Sequence, residues 1–121
     1  MKIAISSTGE TFQDQLDPRF GRAAGFIVFD LDSGQAEFID NQGNQQASKG
    51  AGIHAAQNVA RSGAQVVITG HVGPKAYAAL ESGGIRVFQS ETKSVQEVID
   101  DYRQGRLSQA QGADSPPHWQ G

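Results

Sequence analysis

The chain contains no cysteine among its 121 residues. This absence excludes disulfide bonds, thiol nucleophiles and thiolate ligands to a metal. Any metal–sulfide centre bound here would have to bring its own sulfide and be held by histidine, backbone groups and charge. The chain also lacks an apolar run near the roughly 20 residues that a transmembrane helix needs, so we expect no association with a membrane.

Acidic residues are missing from residues 41–80, although the whole chain holds 13 Asp and Glu against 10 Lys and Arg. Basic and imidazole side chains occupy that acid-free stretch instead, namely Lys49, His54, Arg61, His71 and Lys75. Glycines also mark two helix starts within it, at 50–52 and 70–73. Positive charge and free backbone N–H groups concentrated in one region predict a binding site for an anion. The formal net charge of −3 argues against nucleic-acid binding, which needs a basic surface.

The length suits one domain with a hydrophobic core. We predict a single domain over residues 1–105 and a flexible tail over residues 106–121, because the end of the chain is rich in Gln, Gly, Ser and Pro without periodicity. The N-terminus enters a predicted strand directly and has no signal-peptide layout. We therefore expect a cytoplasmic protein, and we expect it to be a monomer.

Apolar runs, helical periodicity and turn residues predict the element order βββαβαβα. Strands are predicted at 2–6, 26–29, 36–39, 65–69 and 85–88, and helices at 50–62, 74–82 and 94–104. The apolar face assigned to the first helix consists of Ile53, Ala56, Val59 and Ala60. Right-handed crossovers place the fourth strand parallel to the first, whereas the first three strands are antiparallel neighbours. The expected fold class is α/β, with a mixed five-stranded sheet of order 3-2-1-4-5 and helices on its faces.

Ligands of open α/β sheets favour the edge where parallel strands end. The predicted topology brings the end of the first strand, both glycine-marked helix starts and the loop before the second strand to that edge. The candidate binding residues are Ser6, Arg19, Arg22, Lys49, Gly50, Gly52, His54, Gly70, His71, Gly73 and Lys75. Two of them, His54 and His71, are candidate metal ligands, because imidazole binds iron and copper directly.

Three segments resemble motifs of a known family, namely DPRFGRA at 17–23, GAGIHAA at 50–56 and VITGHVGPKA at 67–76. Together they resemble the dinitrogenase iron–molybdenum cofactor biosynthesis family over roughly residues 1–103. The resemblance implies a ribonuclease H-like fold. It also implies that the protein binds or carries a metal–sulfide cluster without a known reaction, and exchanges it with donor or acceptor proteins. The implied cluster is a precursor of the iron–molybdenum cofactor or, as in some relatives from sulfate-reducing bacteria, a mixed molybdenum–copper sulfide.

Other functions were weighed against a cluster carrier. A nuclease would fit the ribonuclease H-like fold, but two-metal nuclease chemistry needs clustered carboxylates. The predicted first strand and residues 41–80 offer none, so we expect no enzymatic activity. A small-anion or nucleotide sensor stays open as an alternative, because phosphate would suit the same helix starts.

Each candidate side chain also has a structural interpretation. His54 could be a solvated helix position, and His71 could be an ordinary loop residue. Arg19 and Arg22 could pin their long loop to carbonyl groups or to Asp17. The glycines could serve only tight turns and close helix–sheet packing.

Overall fold

The computed structural model describes residues 1–41 and 50–110. The described part of the chain forms β1 (Lys2–Ser7), β2 (Gly25–Asp30), β3 (Ala36–Asp40), α1 (Ala51–Arg61), β4 (Val66–Thr69), α2 (Pro74–Ser82), β5 (Arg86–Gln89), α3 (Val95–Arg103) and β6 (Ser108–Gln109). The candidate Lys49 and tail residues 111–121 lie outside the described residues.

The strands form one mixed sheet of order β3-β2-β1-β4-β5-β6. β1 and β2 are antiparallel, as are β2 and β3. β1, β4 and β5 are parallel, with Ile5 of β1 opposite Ile68 of β4 and Ile68 opposite Phe88 of β5. The predicted order 3-2-1-4-5 is confirmed. The carboxyl ends of β1, β4 and β5 consequently meet at one edge of the sheet.

A sixth strand extends this sheet into the segment that was expected to be a flexible tail. Ser108 and Gln109 pair antiparallel with β5, and the Ala110 N–H donates to the Val87 carbonyl at 2.8 Å. Ala110 itself is only 8% exposed. The predicted domain end at 105 is therefore too early, and the ordered domain reaches at least residue 110.

Both faces of the sheet are covered by helices, which gives a three-layer molecule. On one face Ala4, Val28 and Val67 pack with Val59 of α1 and Leu80 of α2. On the other face lies a second apolar cluster that includes α3, formed by Ile3, Ile5, Leu16, Ile27, Phe29, Val66, Ile68, Val95, Val98 and Ile99. No helix within the described part of the chain is long and apolar enough to cross a membrane.

The apolar face of α1 agrees with the predicted one at Ala56 and Val59 but differs from it at Ile53 and Ala60. The buried residues are Ala51, Ala55, Ala56 and Val59, whereas Ile53 is half-buried and Ala60 is exposed. Ala51, Ala55 and Val59 follow i, i+4, i+8 spacing and form the stripe that meets the sheet. Ile53 lies two positions after Ala51, about 200° around the helix, and faces elsewhere.

The start of α3 has a capping box. The Glu97 N–H donates to Ser94 Oγ at 3.2 Å, and the Ser94 N–H donates to Glu97 Oε1 at 3.1 Å. These two bonds satisfy backbone donors that the first turn of a helix leaves without partners. The N-cap residues of α1 and α2 are Gly50 and Gly73, and neither helix start has a side-chain capping bond.

Candidate functional site

A cleft of about 760 Å³ opens at the edge where β1 and β4 end, and we call it the main cleft. Its walls are the loop before β2, the start of α1 and the β4–α2 connection with the first turn of α2. The lining residues are Arg19, Phe20, Gly21, Arg22, Gly50, Ala51, Gly52, Ile53, His71, Gly73, Pro74, Lys75 and Ala76. The segments that resemble family motifs thus meet in one place.

Two helix N-termini open into the main cleft without side-chain caps. The N-cap residues are Gly50 for α1 and Gly73 for α2, and neither helix has an acidic residue in its first turn. The first backbone bonds within the helices are donated by His54 to the Gly50 carbonyl and by Tyr77 to the Gly73 carbonyl, both at 2.9 Å. Earlier N–H groups have no intrahelical acceptor, and these belong to Ala51, Gly52, Ile53, Lys75 and Ala76. The resulting positive potential attracts anions.

Small residues let these two helix starts approach each other and the neighbouring loop. A Cβ atom on Gly52 would lie 2.9 Å from the Ala76 Cβ, which is too short for a contact between carbon atoms that are not bonded to each other. A Cβ atom on Gly21 would lie 2.9 Å from the Gly52 backbone nitrogen. The glycines therefore place the two N-termini side by side, so that one ligand can face both.

The loop that carries Arg19 is tied to the sheet through Asp17, whose side chain is 4% exposed. The Asp17 carboxylate accepts from the Arg19 N–H at 2.9 Å and from the guanidinium at 3.3 Å. Ser6 Oγ donates to the Asp17 carbonyl at 2.6 Å and lies 2.8 Å from Thr69 Oγ1. This network fixes the loop against the ends of β1 and β4.

The same loop is also bonded to the connection between β4 and α2. The His71 N–H donates to the Pro18 carbonyl at 2.7 Å, and the Phe20 N–H donates to the His71 carbonyl at 3.2 Å. A Cβ atom on Gly70 would lie 2.8 Å from the Pro18 Cα, so this contact requires glycine. The two loops therefore form one continuous wall of the main cleft.

The main cleft brings together most of the candidate residues predicted from the sequence. Seven line it, namely Arg19, Arg22, Gly50, Gly52, His71, Gly73 and Lys75. Ser6 is fully buried and Gly70 packs on Pro18, so both support the wall rather than line it. His54 is exposed on α1 and is not among the lining residues. What any of these residues binds stays a prediction.

The polar lining of the main cleft is cationic. Among the described residues that line it, the charged ones are Arg19, Arg22 and Lys75, and none is Asp or Glu. Arg19 is 62% exposed even though it pairs with Asp17, so the guanidinium can still face a ligand. Within residues 1–41 and 50–110, no group of three or more His, Asp or Glu side chains is arranged to hold a metal ion.

Several apolar residues of the main cleft were not identified as ligand contacts from the sequence. Phe20 is only 2% exposed, and its ring centroid lies 5.3 Å from that of Phe26, so it anchors the loop before β2 to the core. Ile53, expected on the core face of α1, lines the cleft instead. The i, i+4, i+8 alanine–valine stripe of α1 was the available signal, because it excludes Ile53 from the buried face.

A comparison with protein families finds a match over residues 1–105 to the family described as dinitrogenase iron-molybdenum cofactor. An uncharacterised protein of Methanocaldococcus jannaschii is 31% identical over 110 residues, covering 88% of this chain and 89% of that protein.

Solved structures with the same fold include two relatives above 30% identity. The apo form of the orange protein from Desulfovibrio gigas is 45% identical, with a TM-score of 0.91 and coverage of 93% of this chain and 95% of that one. A candidate NifB protein from Thermotoga is 32% identical, with a TM-score of 0.80 and coverage of 89% of this chain and 91% of that one.

Proposed function

Since the chain belongs to the dinitrogenase iron–molybdenum cofactor family, we propose that it binds and carries an anionic metal–sulfide cluster in the main cleft, without catalysing a reaction. The observation that carries this proposal is the meeting of two uncapped, acid-free helix N-termini in one cleft. Arg19, Arg22 and Lys75 add formal positive charge beside them. A bulky anion would find backbone donors and cations on several sides at once.

The donor set suits a cluster that arrives with its own sulfide. Backbone N–H groups of α1 and α2 and the cationic side chains can donate hydrogen bonds to sulfide, and no thiolate is needed to complete the site. His71 is the lining imidazole and could ligate iron or copper of such a cargo. The metal chemistry would come with the cargo, and this chain would hold, orient and shield it.

The apolar part of the lining favours a cluster carrier over the alternative function, a small-anion or nucleotide sensor. A small-anion or nucleotide sensor would use the same N–H groups for phosphate. Ile53, which is half-buried, and Pro74, which is exposed, add apolar surface that cannot hydrogen-bond the oxygen atoms of a strongly hydrated oxyanion. A sulfide-faced cluster is softer and more weakly hydrated, so we favour it over phosphate as the ligand.

The cargo is either an iron–molybdenum cofactor precursor or a molybdenum–copper sulfide cluster, and metal analysis distinguishes the two. We expect anaerobically purified protein to acquire charge-transfer absorption and stoichiometric metal when reconstituted with an iron–sulfur cluster precursor or with tetrathiomolybdate plus copper. Elemental analysis of freshly isolated protein would identify the natural metals. Uptake of neither cluster, together with micromolar binding of phosphate or a nucleotide, would contradict the carrier function and favour the sensor.

A carrier must also receive and release its cargo. We therefore include cluster donor or acceptor proteins as its partners, and we propose that the protein works as a cytoplasmic monomer. Size-exclusion chromatography with light scattering, with and without cluster, tests the monomer directly.

A further inference from the structure

The glycines of the main cleft and its wall differ in what the fold demands of them. Gly50 has a φ of +76°, in the left-handed region that side chains rarely adopt. Three others are crowded, because an added Cβ atom would lie 2.8 to 2.9 Å from its nearest neighbour. These crowded positions are Gly21, Gly52 and Gly70. For all four, the backbone or the packing explains the glycine.

Gly73 has neither reason to be glycine. Its φ of −77° and ψ of 170° are extended values that any residue adopts. An added Cβ atom would meet nothing within 4 Å. Because Gly73 lines the main cleft, that Cβ atom would occupy space at the cleft wall. The fold therefore tolerates a side chain here, whereas a ligand lying against the backbone would not.

Helix stability would also favour a different residue at position 73. Gly73 is the N-cap of α2, where Ser, Thr, Asp and Asn stabilise a helix by accepting from the N–H groups two or three positions later. In α2 those groups belong to Lys75 and Ala76, which lie two and three positions after Gly73. Pro74, between them and Gly73, has no N–H to offer. A capping side chain would thus take up the donors that a bound anion needs.

Resting on the carrier function proposed above, we infer that Gly73 is the specificity-determining residue of the main cleft. Because Gly73 has no side chain, the Lys75 and Ala76 N–H groups stay available and no atom projects from this position into the main cleft. A bulky sulfide-faced anion can therefore lie against the start of α2. Gly73 contributes no charge and no ligand atom from a side chain. It selects cargo by size and by leaving donors free.

The test compares Gly73→Ser with wild type and with a matched control, Gly83→Ser. Gly83 ends α2 outside the cleft, has a φ of −86°, and an added Cβ atom there would make only ordinary contacts of 3.5 Å or more. All three proteins are reconstituted separately with an iron–sulfur cluster precursor and with tetrathiomolybdate plus copper, and the retained metal is measured after gel filtration. We expect Gly73→Ser to retain the cluster about tenfold less well, since it loses at least one free N–H donor. Its thermal unfolding midpoint should equal or exceed that of wild type, and the control should match wild type in retention.

The outcomes separate this inference from the carrier function. Equal retention by Gly73→Ser and wild type would overturn the role of Gly73 and leave the carrier function intact. Failure of wild type to take up either cluster type would overturn both. If Gly73→Ser does not fold, Gly73→Ala decides, because it adds only the Cβ atom: reduced retention supports the inference and full retention overturns it.

Discussion

At the scale of single residues, the cations of the main cleft are held in different ways. The Arg19 guanidinium lies 3.3 Å from the carboxylate of Asp17, which is nearly fully buried, so part of its charge is neutralised within the protein. Lys75 is exposed in the first turn of α2 and forms no ion pair with the residues described. Lys75 therefore offers a positive charge that no carboxylate within the described chain offsets.

We expect Lys75→Gln to weaken cluster retention by roughly fivefold, which corresponds to about 1 kcal/mol for an exposed charge. The loss should shrink at high salt, because screening already weakens this charge in wild type. Retention measured at low and high ionic strength checks both statements. Arg86→Gln is the matched control, since Arg86 is exposed at the start of β5, on the opposite edge of the sheet. An equal loss in both variants would argue against a local role for Lys75.

The two candidate metal ligands should behave differently. His71 lines the main cleft and its backbone is tied to Pro18 and Phe20, whereas His54 is exposed outside the lining. We expect His71→Ala to lower cluster retention and shift the charge-transfer bands, and His54→Ala to have a smaller effect on both. Absorption spectra and metal content after gel filtration provide the comparison. A larger effect at His54 would show that cargo extends beyond the main cleft.

At the scale of elements, the sequence was sufficient to predict the strand order but not the last strand. The apolar run at β4, the hairpin turn and the handedness of crossovers all act locally or follow general rules, so they are readable from the chain. β6 has two residues in a Gln-, Gly- and Ser-rich segment, and its pairing depends on contacts with distant residues. Ser108 and Gln109 pair with Gln89 and Phe88, and Ala110 bonds to Val87, about 20 residues earlier in the chain. Such non-local contacts leave no periodic pattern.

The candidate site was predictable in location but less so in its individual contacts. The topology places a cleft at the edge of the sheet where parallel strands end and helices begin, independently of the side chains that line it. Ser6 lies one residue before the end of β1, which is buried on both faces, so no alternation of polar and apolar residues indicates which way its hydroxyl points. It points inward, to Asp17 and Thr69. The periodicity of α1 allowed Ile53 to be placed on the same apolar face as Ala56 and Val59, but the buried face continues through Ala51 and Ala55 instead.

β6 and the residues around it should stabilise the domain even though the family match ends at residue 105. Leu107 packs on the α3 face, and Ala110 is buried and bonded to β5. We expect a chain ending at 105 to lose roughly 2 kcal/mol relative to one ending at 110, from partial apolar burial and lost backbone bonds. Urea unfolding of the two chains measures this difference. Coincident unfolding curves would mean that β6 contributes nothing to stability.

At the scale of the whole molecule, the acidic residues that stabilise the fold lie outside the acid-free stretch. A hydrogen bond from Lys93 at 2.7 Å, and then Arg106, lower the pKa of Asp101 below its usual value. Asp101 in turn raises the pKa of Lys93. Backbone N–H donors likewise lower the pKa values of Asp14 and Asp30. Asp14 and Asp30 thus stabilise the turns that follow β1 and β2, and Asp101 stabilises the connection from α3 to β6. The main cleft, by contrast, has a cationic lining.

These shifts determine how stability should depend on pH. A carboxylate whose pKa is lower in the folded state stabilises the protein above its unfolded pKa of about 3.9, and this contribution is lost as pH falls through the folded pKa. A lysine whose pKa is raised stabilises the protein below its unfolded pKa of about 10.4, and this contribution is lost as pH rises through the folded value. We therefore expect the thermal unfolding midpoint to decrease when the pH is lowered below about 4. We expect it to decrease again in strong alkali, as Lys93 loses its proton.

Asp101→Asn should flatten both limbs of that profile, because it removes the lowered carboxyl pKa and the partner that raises the pKa of Lys93. Its unfolding midpoint should lie below that of wild type at neutral pH and approach it in acid, where wild-type Asp101 is protonated. Thermal melts followed by circular dichroism from strong acid to strong alkali give the comparison. Glu81→Gln, at an exposed carboxylate of α2, serves as the control and should keep the wild-type slopes. A parallel shift of the Asp101→Asn profile, with both limbs unchanged, would mean that Asp101 stabilises the molecule by packing rather than by its charge.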